Sequence, residues 1–305
     1  MRVAGIDCGT NSIRLLIADP APGGALVDLV REMRVVRLGA GVDRTGRLAP
    51  EALERTRVAL AEYAAAIKEY GAERVRMVAT SATRDAANRG EFVAMVRAEL
   101  GTDPEVITGT EEAALSFAGA VAGLPGVAGP LLVADIGGGS TELVLGGGEA
   151  ELRSYSMDVG CVRMTERHLH DDPPTPEQVA ATVADLRAAI RDAGRHVPLD
   201  AAATFVGVAG TVTTIAAIAL GLERYDADAI HGSVLTAAQV DDVTSLLLRM
   251  THAERAALPV MHPGRVDVIG GGALVLRSLV EATGAAEVVA SEHDILDGIA
   301  LSQLR

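Results

Sequence analysis

Tryptophan is absent from the 305 residues, and aromatic side chains of every kind make up 2%. Holding single-stranded nucleic acid on stacked rings needs aromatic platforms, so that mode of binding is not expected. Lysine occurs once, at Lys68, which removes any reading that needs a phosphate-loop or Schiff-base lysine elsewhere. Lys and Arg together number 27 against 41 Asp and Glu, a net charge of −14. No basic footprint for duplex nucleic acid or an anionic membrane surface is visible. The two cysteines, Cys8 and Cys161, are too few for a disulfide framework and suit a reducing compartment. Segment 1–7 reaches an acid after a short apolar stretch and is not a secretion signal. The uncharged stretch 201–222 is interrupted by Gly207, Gly210 and Gly221, so it reads as a buried strand, a turn and a buried helix rather than a membrane span. The expectation is a cytoplasmic protein with neither a membrane nor a nucleic-acid partner.

What is present is an ordinary globular proportion of apolar residues, 49%, in a chain long enough for two domains. Apolar runs at 3–6 and 13–18 flank a polar turn and predict a hairpin, with strand-like sequence following at 26–38. Helical spacing predicts a helix over 50–70, stopped by Gly71. A strand at 75–79, a short helix capped by Ser81, a helix at 91–100, a brief strand at 106–107 and a helix at 108–121 complete the first half. The Gly- and Pro-rich segment 122–130 marks the hinge. Beyond it, strands are expected at 131–134, 143–145, 204–208 and 288–290. Helices are expected behind the Thr175-Pro176 cap and over 211–220, 236–250, 265–280 and 295–304. Strands alternating with helices make this an α/β protein.

The hairpin turn occurs twice. Asp7-Cys8-Gly9-Thr10-Asn11-Ser12 and Asp135-Ile136-Gly137-Gly138-Gly139-Ser140-Thr141-Glu142 each follow an apolar run, and position 135 lies 128 residues after position 7. A duplicated domain with a cleft between the copies is one explanation, and chance similarity of short motifs is the other. Backbone N–H groups in such turns make anion-binding nests, as they do in Gly207-Val208-Ala209-Gly210-Thr211 and Gly270–Gly272. An Asp at the strand end suits a hydrated Mg²⁺ shared with phosphate oxygens.

Glu111 stands three residues after Thr108, a capping-box spacing. Glu112 points about 100° further around the helix. Facing a phosphate-filled cleft it would have a raised pKa and suit general-base work on water; facing solvent it would be an ordinary N-terminal acid. Arg84, after Thr80-Ser81-Ala82-Thr83, is placed near a helix start, where a bound anion would favour it; a local pair with Asp85 is the alternative. His231 is either a loop residue or a functional one. Cys8 lacks a nearby histidine for nucleophilic work.

Taken together, Asp7–Ser12 with Ile13–Ile17, Thr80–Arg84 with Asn88, and Gly109–Ala113 resemble the exopolyphosphatase / guanosine-pentaphosphate phosphatase (Ppx/GppA) family. So do Asp135–Glu142, Gly207–Thr211, His231-Gly232, Arg265 with Gly270–Gly272, and Ser291 with Asp297-Gly298. The matches run in order over the whole chain. The resemblance implies two RNase-H-like domains of the actin-like ATPase superfamily flanking a cleft: 1–121 plus the returning helix 294–305, and 122–293. It implies Mg²⁺-dependent hydrolysis (Mn²⁺ as substitute) of the terminal phosphoanhydride of inorganic polyphosphate. A pppGpp 5′-phosphohydrolase is the nearest alternative, then an ATP-dependent kinase or a non-catalytic polyphosphate sensor. It further implies Glu112 as base and Asp7 and Asp135 as metal-side acids. The phosphate site would comprise Asn11, Ser12, Arg84, Gly137, Gly138, Gly139, Ser140, Thr141, Glu142, Gly210 and Thr211. A homodimer is expected on the same ground. Ala209 departs from the family pattern, where Gly is common. The chain ends without the extra helical domains of long members, which leads to an expected preference for short chains.

Overall fold

A computed structural model of the chain describes every residue except 23–25, 125, 149 and 305. The chain divides into two compact units, Met1–Ala122 with Asp294–Arg305, and Gly123–His293.

The first unit opens with β1 (Val3–Cys8), β2 (Ser12–Pro20) and β3 (Leu26–Val35), an antiparallel meander. The short helix α1 (Val42–Thr45) and the long helix α2 (Pro50–Tyr70) follow, the latter with proline in its first turn. Then come β4 (Arg74–Ala79), α3 (Ser81–Asp85), α4 (Arg89–Leu100), β5 (Glu105–Val106) and α5 (Gly109–Gly123). The sheet order is β3-β2-β1-β4-β5, with β1, β4 and β5 parallel. This is the RNase-H-like arrangement. β1 is buried along its whole length, as a central strand with both faces covered must be.

The second unit repeats that order. β6 (Leu131–Ile136), β7 (Thr141–Gly147) and β8 (Ala150–Met157) form the meander. Helices α6 (Cys161–His168) and α7 (Pro176–Ala193) precede β9 (Thr204–Val208) and α8 (Ala209–Ala219). The remainder is α9 (Ala227–Ile230), β10 (Val234–Thr236), α10 (Ala237–Arg249), α11 (His252–Ala256), α12 (Ile269–Thr283) and β11 (Glu287–Ala290). The sheet reads β10-β11-β9-β6-β7-β8. Chance similarity of the two turns is thereby excluded, because the turns occupy the same place in equivalent sheets. Their closures match as well: Gly9 N–H donates to the Ser12 carbonyl at 3.0 Å, and Gly137 N–H to that of Ser140 at 3.1 Å.

The last helix, α13 (Ile295–Ser302), returns to the first unit. Its apolar face, with Leu296, Ile299 and Ala300 buried, packs on β1 and β2, and the Gln303 amide donates to the Ala4 carbonyl at 3.0 Å. Two glycines set its crossing with α5. A Cβ on Gly298 would collide with the Leu115 carbonyl, and one on Gly119 with the Asp294 carbonyl. Backbone cannot yield as a flexible side chain can. Gly298→Ala is therefore expected to destabilise by about 1–3 kcal/mol, read as a lower urea midpoint at unchanged slope.

Several local expectations are corrected. Ser81 is the first residue of α3 rather than its cap, which is Thr80; the Ser81 hydroxyl instead meets that of Thr10 at 2.9 Å. The helix expected from 265 begins at Ile269, after a single tight turn over Pro263–Arg265. Neither β8 nor α6 was expected. β8 is an edge strand in which only Met157 is buried, so alternation is lost, and α6 is only two turns long. Among the described residues, no helix is long and apolar enough to cross a membrane.

Candidate active site

In both sheets the polar residues singled out gather where parallel strands end at their carboxyl side, the usual binding edge of α/β sheets. In the first unit, Asp7 lies near the end of β1, Arg84 follows β4 and Glu112 follows β5, on three adjacent strands.

Glu112 sits in the first turn of α5 and is only 7% exposed, so it is not a solvated surface acid. Its Oε2 accepts from Arg84 Nη1 at 3.0 Å, and the same nitrogen donates to the Ile107 carbonyl at 3.0 Å. The placement of Arg84 near a helix start is corrected: α3 is five residues long and Arg84 lies in its last turn, where a cation suits the dipole. The ion partner that the fold supplies is Glu112 rather than the adjacent Asp85, because the end of β5 delivers α5 beside α3. Glu111 makes the capping box with Thr108, its carboxylate accepting from the Thr108 N–H at 2.9 Å, and those bonds hold it below its ordinary pKa.

Asp7 pairs in register with Arg14 of β2. Arg14 donates to Asp7 Oδ2 from Nε (3.0 Å) and Nη2 (2.6 Å), and its Nη1 donates to Asp294, the cap of α13. Burial pushes the Asp7 carboxyl up, and Arg14 opposes that shift. The turn behind Asp7 is held from outside: the Asn11 carbonyl accepts from Val36 N–H (3.1 Å) and Arg37 N–H (2.8 Å), and the Thr10 carbonyl from Gly39 N–H (2.8 Å). Ser12 opens β2 in the same turn.

The second unit differs at one telling position. Asp135 of β6 stands opposite Glu142 of β7, the same register relation as Asp7 with Arg14. Directly opposed residues of an antiparallel pair share a face, so here two buried carboxylates are neighbours. Glu142 Oε1 accepts from Ser156 Oγ at 2.8 Å. The loop Gly137–Ser140 lies between them in sequence, and Thr141 donates to the Val159 carbonyl at 2.7 Å. Gly210 and Thr211 open α8 directly after β9. The Arg265 guanidinium covers Gly210 so closely that a Cβ there would collide with it, and Nη1 donates to Thr214 Oγ1 at 3.1 Å. Ala209 has φ +68°, the left-handed region in which a methyl group costs about 1–2 kcal/mol. The residue that departs from the family pattern is thus a strained one, at the start of this turn.

Among the described residues, no group of three His, Cys, Asp or Glu is gathered into a metal cage. His231 is bonded through both ring nitrogens: Nδ1 accepts from the Glu292 N–H at 3.2 Å, so the Nε2 proton is the one given to the Gly123 carbonyl at 2.6 Å. Cys8 is buried and its thiol is pushed up by burial, while Cys161 is pushed up to about 11, which disfavours the thiolate that a nucleophilic cysteine needs. Residues that sequence reasoning did not assign include Asp294, whose approach to Arg14 only the returning helix brings about. Arg14 and Arg265 stood in matched motifs without a role.

In each unit a strand-end loop rich in backbone N–H groups, with buried carboxylates and an arginine nearby, is chemistry that suits an oxyanion, on an α/β fold of the RNase-H-like kind. Residues 16–305 match the family model described as Ppx/GppA phosphatase family. The chain is 55% identical to Exopolyphosphatase 2 of Mycobacterium tuberculosis, over 99% of this chain and 98% of that one. A crystal structure of an exopolyphosphatase-like protein is similar at 48% identity and a TM-score of 0.94, covering 99% of this chain and 98% of that one. The Aquifex aeolicus member of the Ppx/GppA family is similar at 33% identity and a TM-score of 0.82, covering 100% and 97%. The chain belongs to the Ppx/GppA phosphatase family and is a phosphatase.

Proposed function

We propose that this chain is an exopolyphosphatase that removes the terminal phosphate of inorganic polyphosphate. The observation that carries the reading is Glu112, a buried carboxylate bonded to the arginine that suits a phosphate. A phosphate oxygen arriving at Arg84 competes for the guanidinium and leaves Glu112 to accept a proton from water. The water oxygen then bonds to the terminal phosphorus as the bridging P–O bond breaks, giving orthophosphate and a chain one unit shorter. Such chemistry asks mainly for positioning and charge neutralisation. A kinase of the same fold has no need of a water-activating acid here.

Mg²⁺ fits the donor set, and unequally. The Asp7 carboxylate is engaged by Arg14, whereas Asp135 and Glu142 place two hard oxygen donors on directly opposed residues of one sheet. Mg²⁺ is usually held by one or two carboxylates, with water and substrate phosphates completing the shell, so no protein cage is required. Asp135 and Glu142 are the residues that would hold it, and bound there it would supply charge neutralisation on the phosphates. Each unit has its own N–H and O–H donors for phosphate oxygens: Gly137–Ser140, Gly210 and Thr211 in the second, Asn11 and Ser12 in the first.

Phosphate release with Mg²⁺ from short polyphosphate, long polyphosphate, pppGpp and ATP tests the reading. Release from inorganic polyphosphate is expected, faster and less salt-sensitive on short chains because the net charge of −14 opposes capture of long polyanions. Release from pppGpp alone would move the substrate to the nucleotide, and label passed from ATP to a sugar or acid would replace hydrolysis with a kinase. Release from none of them would overturn the proposal.

A further inference from the structure

The phosphate loop of the second unit is held by a residue that lies outside it. Three consecutive carbonyls of that loop point at the start of α6: Gly137 O accepts from Cys161 N–H at 2.9 Å, and Gly138 O from Val162 N–H (2.9 Å) and Arg163 N–H (3.1 Å). The third carbonyl, Gly139 O, accepts from a side chain of that helix, Arg163 Nε, at 2.6 Å. In a trans peptide the carbonyl and the next N–H point in opposite directions. Fixing these carbonyls on α6 therefore turns the N–H groups of Gly138, Gly139 and Ser140 away from it, as an anion nest requires.

The first unit provides an internal comparison. Asn11 corresponds to Gly139 in the duplicated turn, and its carbonyl is held by two backbone donors, Val36 and Arg37 N–H. The residue that reaches over for this purpose is strained, with Arg37 at φ +49°. In the second unit one guanidinium does the task of those two N–H groups. Close approach is also built in: a Cβ on Gly160 would lie 2.5 Å from the Gly138 carbonyl oxygen and 2.8 Å from that of Gly137.

We infer that Arg163 is a positioning residue for phosphoryl transfer: its Nε–H locks the Gly139–Ser140 peptide so that the Ser140 N–H is presented to the substrate. This rests on the exopolyphosphatase reading above. The test compares wild type, Arg163→Met and Arg163→Lys in phosphate release from tripolyphosphate with Mg²⁺, together with thermal melts. Deleting an oxyanion donor outright costs about 10²–10³ in kcat; loosening one that remains should cost less, so Arg163→Met is expected to lower kcat roughly tenfold. KM and melting should change little, and Arg163→Lys, which keeps a donor and the charge, should recover most of the rate. Unchanged kcat in Arg163→Met overturns the assignment. So does a loss that follows melting, including failure to fold, or one that lysine does not repair.

Failure of the functional reading would look different, because wild type itself would then release no phosphate. In that case the amide resonances of Gly138, Gly139 and Ser140 decide, titrated with tripolyphosphate. Shifts in wild type that need about tenfold more ligand in Arg163→Met keep the assignment. Equal titrations in both proteins, or no shift in wild type, end it.

Discussion

Glu112→Gln is expected to lower kcat for phosphate release by about 10²–10⁴, the range of a positioned general base. Binding should survive. Glutamine is nearly isosteric and its side-chain oxygen still accepts a hydrogen bond from Arg84, so the contact at 3.0 Å has a neutral successor. Removing one negative charge beside a polyanion also takes away a repulsion, and affinity for a slowly hydrolysed polyphosphate should hold or tighten. Arg84 keeps its bond to the Ile107 carbonyl, so α3 and α5 stay joined and melting should change little. The decisive measurement pairs single-turnover phosphate release with calorimetric binding of the same substrate. Wild-type turnover in the variant would remove Glu112 as base; loss of binding together with turnover would make it a structural acid.

Arg14→Met is expected to have the largest effect on stability. Arg14 bridges two buried carboxylates, Asp7 and Asp294, which are 8% and 3% exposed at the side chain. Taking the cation away leaves both uncompensated, a change of about 3–5 kcal/mol for a broken buried pair. The melting temperature should fall by on the order of 10 °C. Because Asp294 caps α13, the returning helix should lose protection from hydrogen exchange first. The pH dependence has a definite sign. Burial already raises the folded-state pKa of Asp7 above its unfolded value, and without Arg14 the rise is larger. A raised folded pKa gives stability that is present at low pH and lost as pH rises through it. The deficit of the variant should therefore shrink on acidification and grow towards neutrality. Asp7→Asn combined with Arg14→Met should recover part of the loss, since one of the stranded charges is gone. A deficit independent of pH would mean that packing, not charge, is what Arg14 supplies.

Much of the fold was legible because it is written in local chemistry. The hairpins, the helix over Pro50–Tyr70 and the N-cap at Thr175 depend on residues within a few positions of one another. The uncharged stretch resolved into β9 and α8 as expected, its glycines marking the turn. Legibility failed where the signal was weak or distant. β8 is an edge strand with little to bury, and α6 is short, yet α6 holds the loop that starts at Gly137. Arg84 was singled out, but its place in a helix was misjudged and its bond to Glu112 was not foreseen, because Glu112 lies 28 residues away in the chain.

The division follows from range. The order of residues alone settled which side chains are acids, where the two Asp-x-Gly turns lie and that the pattern belongs to α/β layers, since periodicity and turn chemistry act over a few residues. Charge compensation was beyond its reach. That Asp7 faces an arginine while Asp135 faces a glutamate is a matter of strand register, and that Asp294 completes the Arg14 bridge depends on a helix returning after 280 residues. Electrostatic energies vary with separation and burial in space, and those are set only when the sheets are assembled.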